Sequence, residues 1–162
     1  MPGATKAQLL IPEPTAIKTL DSDKIVVKPT PYSVEYLGNS QWSDRLPHMV
    51  QLRFVQAFEN TGRLAAVGVP GQGLAIDYQV VVAIRKFEVD VDKGNTAVAE
   101  FSVKALNDRN GTVRATRVFT ATAAVGGVDT STTAGKAAYV AALNAAFAKA
   151  TTDVVAWTLS LV

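Results

Sequence analysis

His48 is the only histidine in the chain, so a Ser-His-Asp triad would have to be built on it. It sits in "SDRLPHMV", in the first turn of a helical stretch, with no nucleophile motif beside it. One imidazole also rules out a two-histidine metal site. The chain has no cysteine, which removes disulfides, thiolate catalysis, iron–sulfur clusters and the usual structural zinc sites in one step. "DVDKGN" at 90–95 is a poor calcium loop, because its glycine and asparagine stand in the wrong order and Phe101 occupies the position that needs a bidentate Glu. "GQG" at 71–73 precedes a strand, whereas phosphate cradles precede helices. "NGT" at 110–112 matches a glycosylation acceptor, but a hairpin turn accounts for the same residues. Glu88, Asp90 and Asp92 fall on the polar side of one strand, where solvated charges are expected. No catalytic residue, metal ligand or cofactor-binding residue is marked out, and the sequence is read as that of a protein that is not an enzyme.

The remaining concentration of unusual side chains is "PYSVEYLGNSQWSDRLPHMV" at 31–50, which holds three of the six Tyr and Trp residues, Tyr32, Tyr36 and Trp42. Such side chains bury large rigid area at low entropy cost, which suits a partner surface. They equally suit core packing with a polar tip outward, here fixing the entry of a helix against a sheet. Tyr32, Tyr36 and Trp42 are therefore the candidate partner interface, with both roles open.

The elements that must position these residues follow from pattern. The first thirty residues are punctuated by Pro12, Pro14, Pro29 and Pro31, with apolar runs at 8–11 and 25–28, which reads as short edge strands. "SVEY" at 33–36 alternates as a further strand would. Leu46, Met49, Val50, Phe54, Ala57 and Phe58 recur at steps of three and four, the stripe of an amphipathic helix. Asp44 is its expected N-cap, Pro47 falls in its first turn, and Gly62 fits the C′ position. A short strand is expected over 64–69 and a turn over 70–73. A long strand follows, with Tyr78, Val80, Val82 and Ile84 on one face. Its apolar set resumes one residue out of phase at Phe87, Val89 and Val91, so a β-bulge is expected near Arg85 and Lys86. Ala97, Ala99, Phe101, Val103 and Ala105 alternate in the next strand. A hairpin at Asn110-Gly111 leads to "TVRATRVFTATAAV", completing an antiparallel meander. Val140, Leu143, Phe147, Ala150, Val154 and Trp157 form the seam of a last helix, with Thr132 or Thr133 as its cap. The expected fold class is α+β: a two-layer domain in which a mainly antiparallel sheet, a meander plus short N-terminal edge strands, is packed by two amphipathic helices.

The 162 residues, 48% of them hydrophobic, suffice for one domain with a substantial core, residues 1–162, of which 1–7 are expected to be flexible. Sixteen basic residues are scattered among fourteen acidic ones for a net charge of +2, with no basic run to follow a phosphate backbone. Nucleic acid is excluded as a partner on that ground. "VVAWTLSLV" at 154–162 is about half the roughly 20 residues a spanning helix needs, so a soluble domain is expected.

Taken in order, "LDSDKIVVKPTPYSVEYLGNSQWSDRLPHMVQLRFVQAFENTGRLAAVG", "DYQVVVAIRKFEVD" and "AAYVAALNAAFAKATTDVVAWTL" carry a resemblance that spans roughly residues 20–160. The chain resembles the ABC-type transport auxiliary lipoproteins, the PqiC-like periplasmic proteins that accompany MCE-type lipid transporters of Gram-negative bacteria. That resemblance implies an exported, non-enzymatic subunit without cofactors. Its mature N-terminus would be a lipidated cysteine, so the lipidation signal and that cysteine are expected to have been removed upstream. The full-length protein would be periplasmic and anchored to the outer membrane. Its implied partners are an MCE-domain protein and an ABC permease and ATPase, with lipid as the cargo. An alternative role is a carrier that binds lipid or another small hydrophobe between sheet and helix. Homo-oligomerisation through exposed strand edges is a further expectation.

Overall fold

The computed structural model describes residues 4–128 and 130–162. The chain runs through strands β1 (Gln8–Leu10), β2 (Lys24–Lys28) and β3 (Glu35–Gln41), helix α1 (Leu46–Glu59), strand β4 (Ala66–Gly68) and the long strand β5 (Tyr78–Asp90). A 3₁₀ turn (Val91–Lys93) then leads to β6 (Thr96–Asn107), β7 (Val113–Ala124) and helix α2 (Thr133–Leu159). The expected α+β class holds, with seven strands in one mixed sheet and two helices against it.

β5 is the spine of that sheet. On one side it pairs antiparallel with β6, and β6 with β7, which is the expected meander. The β5–β6 register shifts between Ile84 and Lys86, so the bulge inferred from the phase slip is present. On the other side, the N-terminal chain lies along β5 end to end and parallel to it. Leu9 pairs with Tyr78, Thr15 bridges Ala83, and Val26 pairs with Glu88. β1 and β2 are therefore interior strands, flanked by β4 and β3 respectively, and the expectation of edge strands is corrected. The prolines still obey their rule, because each lies between these strands and none within them. Three consecutive buried residues, Ile25, Val26 and Val27, mark β2 as covered on both faces.

Both helices pack on one face. Phe54 of α1, Phe87 of β5, Phe101 of β6 and Phe147 of α2 meet at centroid separations of 5.5–6.5 Å, mostly edge to face. Trp42 joins them through Phe87 at 5.6 Å. Ala97, Ala99 and Ala105 on β6 and Ala142, Ala146 and Ala150 on α2 are buried and bring the helix close to the sheet.

The caps differ from expectation in detail. Arg45 occupies the N-cap of α1 and makes no side-chain cap hydrogen bond. Asp44 is turned instead to His48, whose Nδ1 lies 2.5 Å from the carboxylate. The Arg45 guanidinium donates to Glu13 and Asp21, which ties the helix start to the crossover between β1 and β2. Gly62 is left-handed at φ 64°, but it follows a C-cap at Asn60 by two residues, one later than the expected C′. α2 is capped by Thr132, whose side chain accepts from the Gly135 amide at 3.0 Å. In the β6–β7 turn only Gly111 is left-handed, at φ 70°. Asn110 accepts there from the Thr112 amide and hydroxyl through Oδ1. Of the N-terminal residues expected to be flexible, Thr5 donates to the Arg63 carbonyl and Ala7 accepts from the Ala65 amide. Residues 1–3 of that stretch lie outside the described residues.

Candidate interaction surface

The three aromatic residues singled out in the sequence are separated by the fold. Trp42 is 6% exposed and belongs to the core, its amide donating to Asp23 and its ring set on Phe87. Its surface role is withdrawn, because the β3-to-α1 connection turns it inward over β5. Tyr32 and Tyr36 point the other way, at 98% and 51% exposure. Val34 between them is also exposed, so the turn and the start of β3 present an apolar strip of Tyr32, Val34 and Tyr36.

Local structure holds this strip out. Thr30 and Ser33 close a turn around Tyr32 through their hydroxyls, 2.8 Å apart, with the Tyr32 amide donating to Thr30 Oγ1 at 3.3 Å. Tyr36 is paired with Val26 on β2. Directly after it the β2–β3 register breaks: Val26 opposes Tyr36, yet Lys24 opposes Gln41. The surplus residues bulge outward through Asn39, which is left-handed at φ 52°. β3 is a sheet edge, so its outer backbone groups adjoin the strip.

Beside the strip is a cleft of about 370 Å³, bounded by Val27, Pro29, Tyr36 and Leu37 from the β2–β3 region, Val91 from the 3₁₀ turn, and Lys136 and Tyr139 from α2. Its walls are polar and apolar in about equal measure, the ammonium of Lys136 and the carboxylate of Glu35 standing among the apolar side chains. Tyr139 is itself buried, and burial pushes its phenol upward from the ordinary tyrosine range. Space between the sheet and the helices is taken by the phenylalanine cluster and the close-packed alanines, so the cleft lies at the end of the two layers rather than between them.

Two acidic residues read as solvated are buried: Glu88 is 6% and Asp90 4% exposed. They do lie on the strand face opposite Phe87 and Val89, as alternation requires. What the sequence reading missed is that β2 runs directly alongside them, with Val26 opposite Glu88 and Lys28 opposite Asp90. The signal was available in "KIVVK", whose unbroken apolar centre belongs to an interior strand. Burial, a hydrogen bond with Asp90 and the Asp90 charge push the Glu88 carboxyl up to about 7, against the opposing pull of Lys28 and Lys86. At the far end of β5 the opposite environment prevails. Asp77 accepts from the Gln8 amide at 2.9 Å and from Arg109 at 2.6 Å, and these bonds hold its carboxyl below the usual range. His48 likewise lowers Asp44.

Among the described residues there is no group of three or more His, Asp or Glu side chains able to hold a metal ion. No helix among them is long and apolar enough to cross a membrane.

One helical layer on a mixed sheet, with a tyrosine strip and a cleft at the β2–β3 end, defines a two-layer α+β domain with an outward-facing sheet edge. The family described as ABC-type transport auxiliary lipoprotein component matches residues 1–155, and the chain belongs to that family. The family is one of auxiliary transport components, not a known enzyme family, and as a lipoprotein family it is associated with the cell envelope. The chain is similar to protein XCC0632 from Xanthomonas campestris, with a TM-score of 0.86 and 30% identity over 98% of this chain and 87% of that one. It is 34% identical over 160 residues to the uncharacterized protein bll6063 of Bradyrhizobium diazoefficiens, covering 94% of this chain. The chain spans 40% of the length of that relative. The fold extends to PelC of Paraburkholderia phytofirmans, a dodecamer, at a TM-score of 0.52 and 11% identity, over 93% of this chain and 91% of that one.

Proposed function

We propose that this protein is a non-enzymatic periplasmic auxiliary subunit of an ABC/MCE-type lipid transport system, lipid-anchored to the outer membrane, and that it docks on the MCE component through Tyr32 and Tyr36. The observation that carries the docking surface is the exposure of these two side chains on an ordered turn and edge strand. Aromatic side chains carry large area on few rotatable bonds, and the turn and strand that present these two are already ordered, which is the character of an interface hot spot. Family membership supports the ABC transport context, and the MCE partner and the lipid cargo follow from the resemblance in sequence.

Photo-crosslinking in the native envelope tests the reading, with the crosslinker at Tyr32 or Tyr36 and, as a control, at the exposed Lys104 on β6. MCE and ABC components should be recovered from positions 32 and 36 and not from 104. Tyr32→Ala combined with Tyr36→Ala should reduce co-purification at least tenfold, about 1.4 kcal/mol, with the melting temperature unchanged. Repeated recovery of neither component would remove the proposal.

The cleft at Val27, Tyr36 and Val91 favours a second reading, a carrier of lipid or another small hydrophobe, since its volume falls within the range of small-molecule sites. Native mass spectrometry of protein purified from membranes distinguishes the two: a bound adduct supports the carrier, and a clean apo mass counts against it. Self-association at the sheet edges β3 and β7 is compatible with either reading, and light scattering of the purified chain measures it.

A further inference from the structure

Glu88 and Asp90 stand at the two outer positions of the three-residue ladder that joins β5 to β2, whose middle pair is Val27 with Val89. β3 pairs with β2 alone, so the β2–β3 ribbon, with Tyr36 on it, is attached to the rest of the sheet through this ladder. The two carboxyls therefore sit at the root of the exposed edge.

Their surroundings hold too few partners for two full charges. Lys28 of β2 brings its ammonium to 3.8 Å from Glu88, and Lys93 of the 3₁₀ turn brings its own to 3.9 Å from Asp90, both beyond hydrogen-bond reach. Lys86 is the remaining nearby cation on β5 itself. From β6 the opposing residues are Val98 and Thr96, and beyond them on β7 stand Thr122 and Ala124, none of them charged. Glu100 of β6 is engaged with Arg85 and the Thr120 hydroxyl. From β3, the Tyr36 phenol lies past Val26. Asp90 Oδ1 is buried with no hydrogen-bond donor at all. A buried carboxylate pair with an unfilled acceptor is relieved by one proton, which turns one member into a donor to the other.

We propose that Glu88 and Asp90 form a one-proton clamp: with the proton shared, the pair holds the β2–β3 ribbon to β5, and with the proton lost, the ladder loosens and the Tyr36 edge opens. Only a proton is small enough to load it without opening the strand, given how little of either carboxyl meets solvent. The upward displacement of Glu88 to about 7 puts the change near neutrality. The lysines reduce that displacement without cancelling it.

Hydrogen exchange of the full chain from about pH 5.5 to about pH 8, corrected for intrinsic rates, reads the clamp directly. Amides of β2 and β3 should lose roughly fivefold or more of their protection at the higher pH, while those of β6 and β7 keep theirs. Glu88→Gln keeps a neutral donor to Asp90 and should abolish the difference. A uniform change across the sheet, or a pH dependence that survives Glu88→Gln, would overturn the proposal. Carbon-13 NMR of the side-chain carboxyls in the unaltered protein provides a check that needs no variant: Glu88 should titrate near neutrality, and titration in the ordinary glutamate range would sink the idea. These measurements use the isolated chain, so their outcome is separate from that of the docking proposal.

Discussion

Glu88 carries the sharpest consequence for stability at the level of single residues. Its carboxyl is displaced from the ordinary 4.5 to about 7 in the fold, so the native state binds this proton more tightly than the unfolded chain does. The associated stability is fully present below about 4.5 and is lost as pH rises through 7. Glu88→Gln should therefore raise the free energy of unfolding by ~3 kcal/mol at pH 8 and leave it nearly unchanged at pH 4.5, as read by denaturant titration at both values. The aromatic core residues were legible from spacing alone, since Phe54, Phe101 and Phe147 fall on the seams of their elements. Glu88 and Asp90 were not, because alternation reports which face a side chain takes and says nothing of what lies over that face. Tyr32, Tyr36 and Trp42 were legible as a group only. Whether an aromatic residue near a helix start turns in or out depends on the path of the β3-to-α1 connection, which no local pattern encodes.

Caps and pairings belong to the scale of the element. Thr132 receives the Gly135 amide in the first turn of a 27-residue helix, and Thr132→Ala should cost about 1 kcal/mol. Asp44→Ala should change stability little, since its exposed carboxylate accepts from the Arg45 amide, outside the helix proper, and from a half-exposed His48, and from no amide of the first helical turn. Comparing the two variants by thermal denaturation separates a working cap from a sequence that merely resembles one. Helix positions and the meander were readable because they depend on periods of 3.6 and 2 that run for ten residues or more. The N-terminal strands were misplaced as edges because their neighbours lie sixty or so residues away, and proline spacing constrains only where a strand stops. The bulge at Arg85 was readable because a change of phase inside one strand is itself a local signal.

For the molecule as a whole, the sheet has two kinds of contact. β5, β6, β7 and α2 follow one another in the chain, whereas β1 and β2 reach β5 only by closing long loops. Loop closure must be met before such distant pairings contribute, so the C-terminal half has the means to form first and the N-terminal third to attach afterwards. Phe101→Leu should then slow refolding, whereas Ile25→Val should leave refolding nearly unchanged and speed unfolding; stopped-flow chevrons of the two variants distinguish these effects. The tyrosine edge belongs to the late part of this history, since Tyr32 and Tyr36 lie in the section that docks after the meander. The chain laid end to end along β5 is thus a late-docking strap, and because Leu9, Ile11 and Ile25 are buried in the same core as the phenylalanines, its cohesion with the meander rests on apolar burial as much as on ladder hydrogen bonds.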